Sequence, residues 1–251
     1  MKKSVLVTGS AKRIGRQLAL DFARDGWDVA VHCNSSIAEA EEVAAHIRGL
    51  GRNTVIVRGN LSDADVPDRL IAEASAALGG LTCLINNASL FEPDEVGTIT
   101  KASWAEHLDT NLRAPVFLSQ AFARQLPGGQ EGNIISIIDQ RVWKLNPRFF
   151  SYTTSKSGLW TATRTLAQAL APNIRVNAIG PGPALPSARM DQAEFDKQAK
   201  LTLLGRGTSP EEISAAVKFI LSQPSLTGQM IALDGGQHLV WQTPDVVEVN
   251  E

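Results

Sequence analysis

The sequence predicts an α/β protein: one doubly wound domain over residues 1–251, with a mostly parallel seven-stranded sheet flanked by helices. Three observations predict it. Short apolar, β-branched runs alternate with segments of helical periodicity along the whole chain. No linker, repeat or low-complexity stretch divides these units. The 251 residues are 43% hydrophobic and 20% charged, enough apolar surface for a core that needs no disulfide or metal staple.

The elements follow in order. Ser4 to Val7 is an apolar strand bounded by Gly9. Ile14, Leu18 and Phe22 recur at helical spacing and stop at Gly26. Residues 28–33 form a second strand, 38–50 a helix, 54–57 a strand, 66–78 a helix and 81–85 a strand. The long helical region 103–126 contains Pro115, which predicts two helices or a kink. A strand at 133–138, a helix at 151–170 and a strand at 174–179 come next. Gly180-Pro-Gly-Pro183 is predicted to be loop, with irregular chain to about 207. Ser209 is placed to cap a helix opening at Pro210, and 230–233 is the last strand. In such a sheet the ligand lies outside the carboxyl ends of the strands, so the chemistry belongs in the loops after them.

Composition narrows the classes. Lys plus Arg is 24 and Asp plus Glu is 26, a net charge of -2. No cationic excess exists to neutralise phosphates, which excludes a general nucleic-acid or anionic-membrane binder. Cys33 and Cys83 lie in apolar runs without zinc spacing and are expected to be core residues in a reducing cytoplasm. His32, His46, His107 and His238 are scattered, so no metal site is expected. The run Val5 to Val7 is too short for a signal peptide, and no stretch is long enough to span a membrane.

The first strand–helix turn reads Thr8-Gly9-Ser10-Ala11-Lys12-Arg13-Ile14-Gly15. Gly9 permits a tight turn and Gly15 close helix packing, while the helix N-terminus presents free N–H groups to a pyrophosphate. In dinucleotide folds an acid at the end of the second strand takes the ribose hydroxyls. Here that place reads Asn34-Ser35-Ser36, with no acid to repel a 2′-phosphate and with Lys12 and Arg13 nearby. The pattern favours NADP(H) over NAD; the alternative is that these polar residues cap the next helix. Tyr152, the only tyrosine, stands four residues before Lys156 on a helix, so the two share a face. An adjacent ammonium favours a phenolate.

Further motifs lie at the strand ends: Asn86-Asn87-Ala88-Ser89, Asn111, Pro181-Gly182 and Asp234-Gly235-Gly236. With the first-turn glycines they resemble the short-chain dehydrogenase/reductase family over essentially the whole chain. The resemblance implies a Rossmann fold, a homotetramer and a small-molecule substrate. It makes Tyr152 the proton donor, has Lys156 hold the nicotinamide ribose and lower the tyrosine pKa, and has Asn111 hold a water. Asn87, Ala88 and Ser89 would line the cofactor, Pro181 and Gly182 would wall the nicotinamide, and Asn60 and Leu61 would hold adenine.

Two departures are informative. Asp139 stands where the family carries serine, thirteen residues before the tyrosine, and Arg13 stands for the middle glycine. Ser136 lies on the opposite strand face and is a poor stand-in. These features resemble the pteridine reductase and dihydromonapterin reductase branch, in which Phe91 would stack on a pterin. The alternative for Phe91 is a loop residue anchoring the next helix. The carboxyl of Asp139 suits ring NH groups or proton delivery to an imine nitrogen, with Arg13, Phe91, Asp139 and Tyr152 around the substrate. Hydride would pass from NADPH to an imine carbon such as C6 of a 7,8-dihydropterin, with protonation at N5. An NADPH-dependent carbonyl or ketoacyl reductase and an NADP-binding regulator are the competing readings. In the tail, residues 241–251, Trp241 and the acids Asp245, Glu248 and Glu251 are expected at a subunit interface; the alternative packs Trp241 on its own core.

Overall fold

A computed structural model describes residues 3–187 and 189–247. Seven parallel strands form one sheet in the order β3-β2-β1-β4-β5-β6-β7. They are β1 (Ser4–Val7), β2 (Asp28–Cys33), β3 (Thr54–Arg58), β4 (Cys83–Asn86), β5 (Gly132–Ile137), β6 (Ile174–Pro181) and β7 (Met230–Leu233). The helices are α1 (Arg13–Arg24), α2 (Ile37–Gly49), α3 (Val66–Leu78), α4 (Lys101–Leu108), α5 (Ala114–Gln125), α6 (Phe150–Leu170), α7 (Gln192–Lys200), α8 (Pro210–Ser222) and the short α9 (Pro244–Val247).

Alternation along the strands divides the core in two. Val5, Val7, Val29 and Val31 face one layer with Leu18 and Phe22 of α1 and Val217 of α8. Leu6, Ala30 and Leu84 face the other with Leu70 of α3 and Leu118 and Phe122 of α5. Both strand faces are buried, which explains near-continuous apolar strands. The order reverses between β1 and β4, so a crevice opens at their carboxyl ends.

Most elements lie where the sequence places them, and Ser209 and Glu212 form the capping box of α8. The 101–126 region is two helices joined by a π-helical turn, Asp109–Arg113, with Pro115 in the first turn of α5. There the missing N–H of proline breaks no helical bond. Two expectations are corrected. β6 runs on to Pro181 instead of stopping before a loop, because Gly180 and Pro181 pair with Ala232 and Leu233. Inside the segment expected to be irregular, Asp191 accepts a hydrogen bond from the Glu194 N–H and starts α7. Only Ala199 of that helix is buried, so it has no apolar stripe to betray it. Both cysteines are buried free thiols. Among the described residues no helix is long and apolar enough to cross a membrane, and no cluster of side chains could hold a metal.

Candidate active site

The loops at the carboxyl ends of β1 to β6 enclose a cavity of about 780 Å³. Its first half is built from backbone. Gly9 adopts φ +63°, and a Cβ on Gly15 would lie 2.3 Å from the Gly9 carbonyl oxygen and 2.6 Å from Asn87 Nδ2. Asn87 Nδ2 donates to the carbonyls of Thr8 and Gly9, at 2.8 and 3.2 Å. Thr8 Oγ1 accepts from the N–H groups of Asn87 and Ala88, at 2.9 and 3.0 Å. The turn is thereby locked with no room for side chains, while Lys12 provides no side-chain cap for the first N–H groups of α1. Such a cradle fits a pyrophosphate, because the bare backbone donors can reach it.

His32, at the end of β2, ties this turn to the loop after β3. Its Nδ1 accepts from the Gly9 N–H at 3.0 Å, and its Nε2 lies 3.0 Å from the Gly59 carbonyl. Those partners require the neutral tautomer protonated on Nε2. Burial holds it neutral by lowering its pKa from 6.5 to about 4. Arg13 sits at φ 55°, the left-handed region, which costs a non-glycine residue about 1–2 kcal/mol. Its guanidinium donates to the carbonyls of Pro186 and Leu185, at 2.7 and 3.3 Å.

Gly9, Arg13, Ile14, Gly15, Asn34, Asn60, Leu61, Asn87, Ala88, Ser89, Pro181 and Gly182 all line the cavity. Ser35 and Ser36 do not. Ser35 is exposed, and Ser36 occupies the N-cap position of α2 without a side-chain cap bond. The charge of Lys12 is shared with Glu39, 2.7 Å away, an acid one turn into α2.

The second half is built from buried titratable side chains. Asp139 follows β5 with an extended backbone, φ -173°. Its Oδ1 accepts from the Arg141 N–H at 2.8 Å, and its Oδ2 accepts from the Tyr152 hydroxyl at 2.9 Å. Burial outweighs the Arg141 N–H, Tyr152 and the charges of Arg141 and Lys156, so the Asp139 carboxyl is pushed up. The Tyr152 phenol is also pushed well above its ordinary value, first by burial and then by Asp139. The nearby charge that lowers it is that of Arg141, which burial and Asp139 outweigh. Lys156 Nζ donates to the Ile137 carbonyl at 2.8 Å, and burial brings its pKa down to about 8. Ser136 is buried in β5 and does not line the cavity.

Tyr152 and Lys156 lie one turn apart near the start of α6. Phe149, the residue before α6, has φ 57° and offers no side-chain cap. Buried Asp94 serves instead: its Oδ1 accepts from the Ser151 N–H at 3.0 Å, and its main-chain carbonyl accepts from the Phe150 N–H. A carboxylate here also suits the helix dipole.

Asn111 lies in the π-helical turn, fully buried, and does not line the cavity. Its Oδ1 accepts from the Leu90 N–H and the Ser89 hydroxyl; its Nδ2 donates to the Leu90 carbonyl and to Ser155 Oγ. All four hydrogen-bonding positions of the amide are used. The Asn111 side chain therefore holds the 89–90 loop onto α6.

Phe91 is half-buried in the cavity wall, not in the core. Its ring stacks on Phe149 with centroids 4.3 Å apart and meets the Tyr152 ring edge-on at 4.7 Å. Arg189 donates to the Phe91 carbonyl and pairs with Glu92 at 2.7 Å.

A family model described as short chain dehydrogenase matches residues 3–198. The chain belongs to that family. A structure of FolM alternative dihydrofolate reductase 1 from Brucella suis, in complex with NADP, is 49% identical with a TM-score of 0.94, covering 97% of this chain and 98% of that one. A short-chain dehydrogenase from Burkholderia cenocepacia, also with NADP, is 30% identical with a TM-score of 0.88 over 94% and 97% of the two chains. The 3-oxoacyl-[acyl-carrier-protein] reductase FabG of Staphylococcus aureus is 31% identical over 95% of this chain and 99% of its own. This short-chain dehydrogenase is an NADP(H)-dependent oxidoreductase.

Four residues of the site carry no mark in a short-chain dehydrogenase motif: His32, Asp94, Arg141 and Phe149. His32 had one signal, a polar residue inside the apolar run of β2. In the tail, Trp241 is 60% exposed and Leu239 59%, so Trp241 does not pack on its own core. Lys144 Nζ donates to the Val240 carbonyl at 3.0 Å and pins this segment beside the site. Glu248 and Glu251 lie outside the described residues, as does the side chain of Asp245.

Proposed function

We propose that this enzyme reduces the imine bond of a dihydropterin. The observation that carries the reading is the 2.9 Å hydrogen bond from the Tyr152 hydroxyl to a buried carboxyl, Asp139, at a position where the wider family carries serine. Bound NADPH supplies the hydride that reaches the imine carbon, C6 of a 7,8-dihydropterin. Tyr152 holds its proton firmly at neutral pH and is the donor to N5, completing the new C–H and N–H bonds. Asp139 accepts the phenol's hydrogen bond, assists proton delivery through Tyr152 and offers an acceptor to ring NH groups. Lys156, with a pKa of about 8, is mostly charged at neutral pH and binds the nicotinamide ribose. Phe91, stacked on Phe149 and edge-on to Tyr152, supplies an aromatic wall beside the reacting phenol.

The likeness to a protein named as an alternative dihydrofolate reductase supports this reading. The likeness to 3-oxoacyl reductases supports a second, in which a ketone takes the imine's place. A serine hydroxyl suits polarising a ketone oxygen, and Asp139 in that position favours the pterin. The test is NADPH oxidation measured against dihydropterins, dihydrofolate, quinones and 3-oxoacyl thioesters; turnover of dihydropterins above the others is expected.

We also propose a homotetramer in the cytoplasm. The exposed Trp241 and Leu239 suit an interface, and two free thiols suit a reducing compartment. A monomer on sizing chromatography, or unchanged assembly after truncation at Gly236, would contradict the interface.

A further inference from the structure

The cations of the cavity wall differ in how they are satisfied. Lys12 is paired with Glu39 and Arg189 with Glu92, while Arg13 and Lys156 donate to main-chain carbonyls. Among the described residues the Arg141 guanidinium has no ion pair and no hydrogen-bond acceptor. It lies over the Phe149 ring, 5.2 Å from the centroid, and 6.0 Å from that of Phe91. A guanidinium held against an aromatic face keeps its in-plane N–H groups available, and its planar fork matches a carboxylate. Packing on the two rings also orders the side chain in advance, so less entropy is lost when an acceptor arrives.

Its neighbours place it beside the reaction. The backbone N–H of Arg141 holds Asp139, and Phe91 touches both Phe149 and the Tyr152 ring. One aromatic wall thus contacts the reacting phenol and the spare cation. A flat ring lying along this wall with its reacting bond at Tyr152 would have its C6 substituent inside the cavity that Arg141 lines.

We infer that Arg141 binds an anionic group on that substituent and is the specificity-determining residue for a dihydropterin that ends in a carboxylate. The inference rests on the pterin reading above. Glu106 and Glu194 line the same cavity, so the selection comes from direct contact with Arg141 and not from the net field.

The experiment compares kcat/KM for 7,8-dihydrofolate with that for 7,8-dihydrobiopterin in the parent enzyme, Arg141→Met and Arg141→Lys. Methionine keeps the packing stem and removes the charge. The charge of Arg141 also acts on Asp139 and Tyr152, so kcat is expected to change for both substrates alike; the ratio between substrates isolates the contact. Arg141→Met is expected to lower the ratio by about tenfold or more, through the KM for dihydrofolate, as for a lost charge-assisted hydrogen bond. Arg141→Lys is expected to restore part of it. A parent-like melting curve shows that each variant is folded. An unchanged ratio, with both pterins turned over by the parent, overturns the role of Arg141 alone. No turnover of either pterin by the parent overturns the functional reading and this inference together.

Discussion

The turn between β1 and α1 and the junction between β5 and α6 both lie at carboxyl ends of parallel strands, yet they are built from different materials. The first is backbone, glycine and amide. Its buried titratable group, His32, is held neutral with both ring nitrogens paired. The second gathers Asp139, Tyr152 and Lys156, each displaced from its ordinary pKa by burial. The difference fits the tasks proposed for the two regions. Holding a phosphate needs fixed dipoles that do not titrate, whereas moving a proton needs groups poised away from their solution values.

The sharpest way to break the first region alone is Gly15→Val. With 2.3 Å available to a Cβ, the turn must open. Loss of detectable NADPH binding in a fluorescence titration is expected, and parent-like affinity would show that the turn is not the phosphate site. A smaller effect is expected from Phe91→Ala on the reacting side. Removing one aromatic partner is worth about 0.5–1.5 kcal/mol, so the KM for a dihydropterin should rise up to about tenfold with little change in the melting curve. Large thermal destabilisation with unchanged kinetics would make Phe91 a packing residue.

A pH series compares the two regions directly. His32 is lowered in the fold, so its contribution to stability is present above pH 6.5 and is lost as pH falls through about 4. NADPH affinity should therefore hold from pH 8 down to 6.5 and fail only toward 4. Lys156 loses its charge as pH rises through about 8, so turnover should decline on the alkaline side while the turn is unaffected. A loss of turnover below pH 7 with a flat alkaline limb would contradict this assignment. The smallest effect is expected from Ser35→Asp, which adds a charge at an exposed position off the cavity wall. A shift of about two- to fivefold from NADPH toward NADH is expected, as for an exposed charge pair.

Much of this was legible from the chain. Strand and helix periods placed the seven strands, and Gly9 and Gly15 marked the turn because it needs a tight bend and close packing; Asn87 came from the family resemblance, and its bonds to Thr8 and Gly9 are a tertiary fact. Tyr152, Lys156 and Asp139 were legible as spacing. Their mutual electrostatics were not, because whether burial or neighbouring charge wins depends on enclosure by distant segments. Asn111 was placed correctly, but its saturation by Leu90, Ser89 and Ser155 is a tertiary fact. Phe149 was hidden because a bulky residue at positive φ contradicts local preference. α7 was hidden because its exposed surface needs no apolar stripe.

The central claim is that the Asp139 carboxyl, bonded to Tyr152, is the group that suits this site to a pterin. Asp139→Asn tests it most directly, since it keeps the shape and removes the acid. NADPH binding by fluorescence titration should be retained, while steady-state turnover of a 7,8-dihydropterin should fall by on the order of 10²-fold or more, as for a lost acid–base group. Reduction of the pterin by Asp139→Asn at the parent rate would leave the carboxyl without a chemical role and would contradict the account.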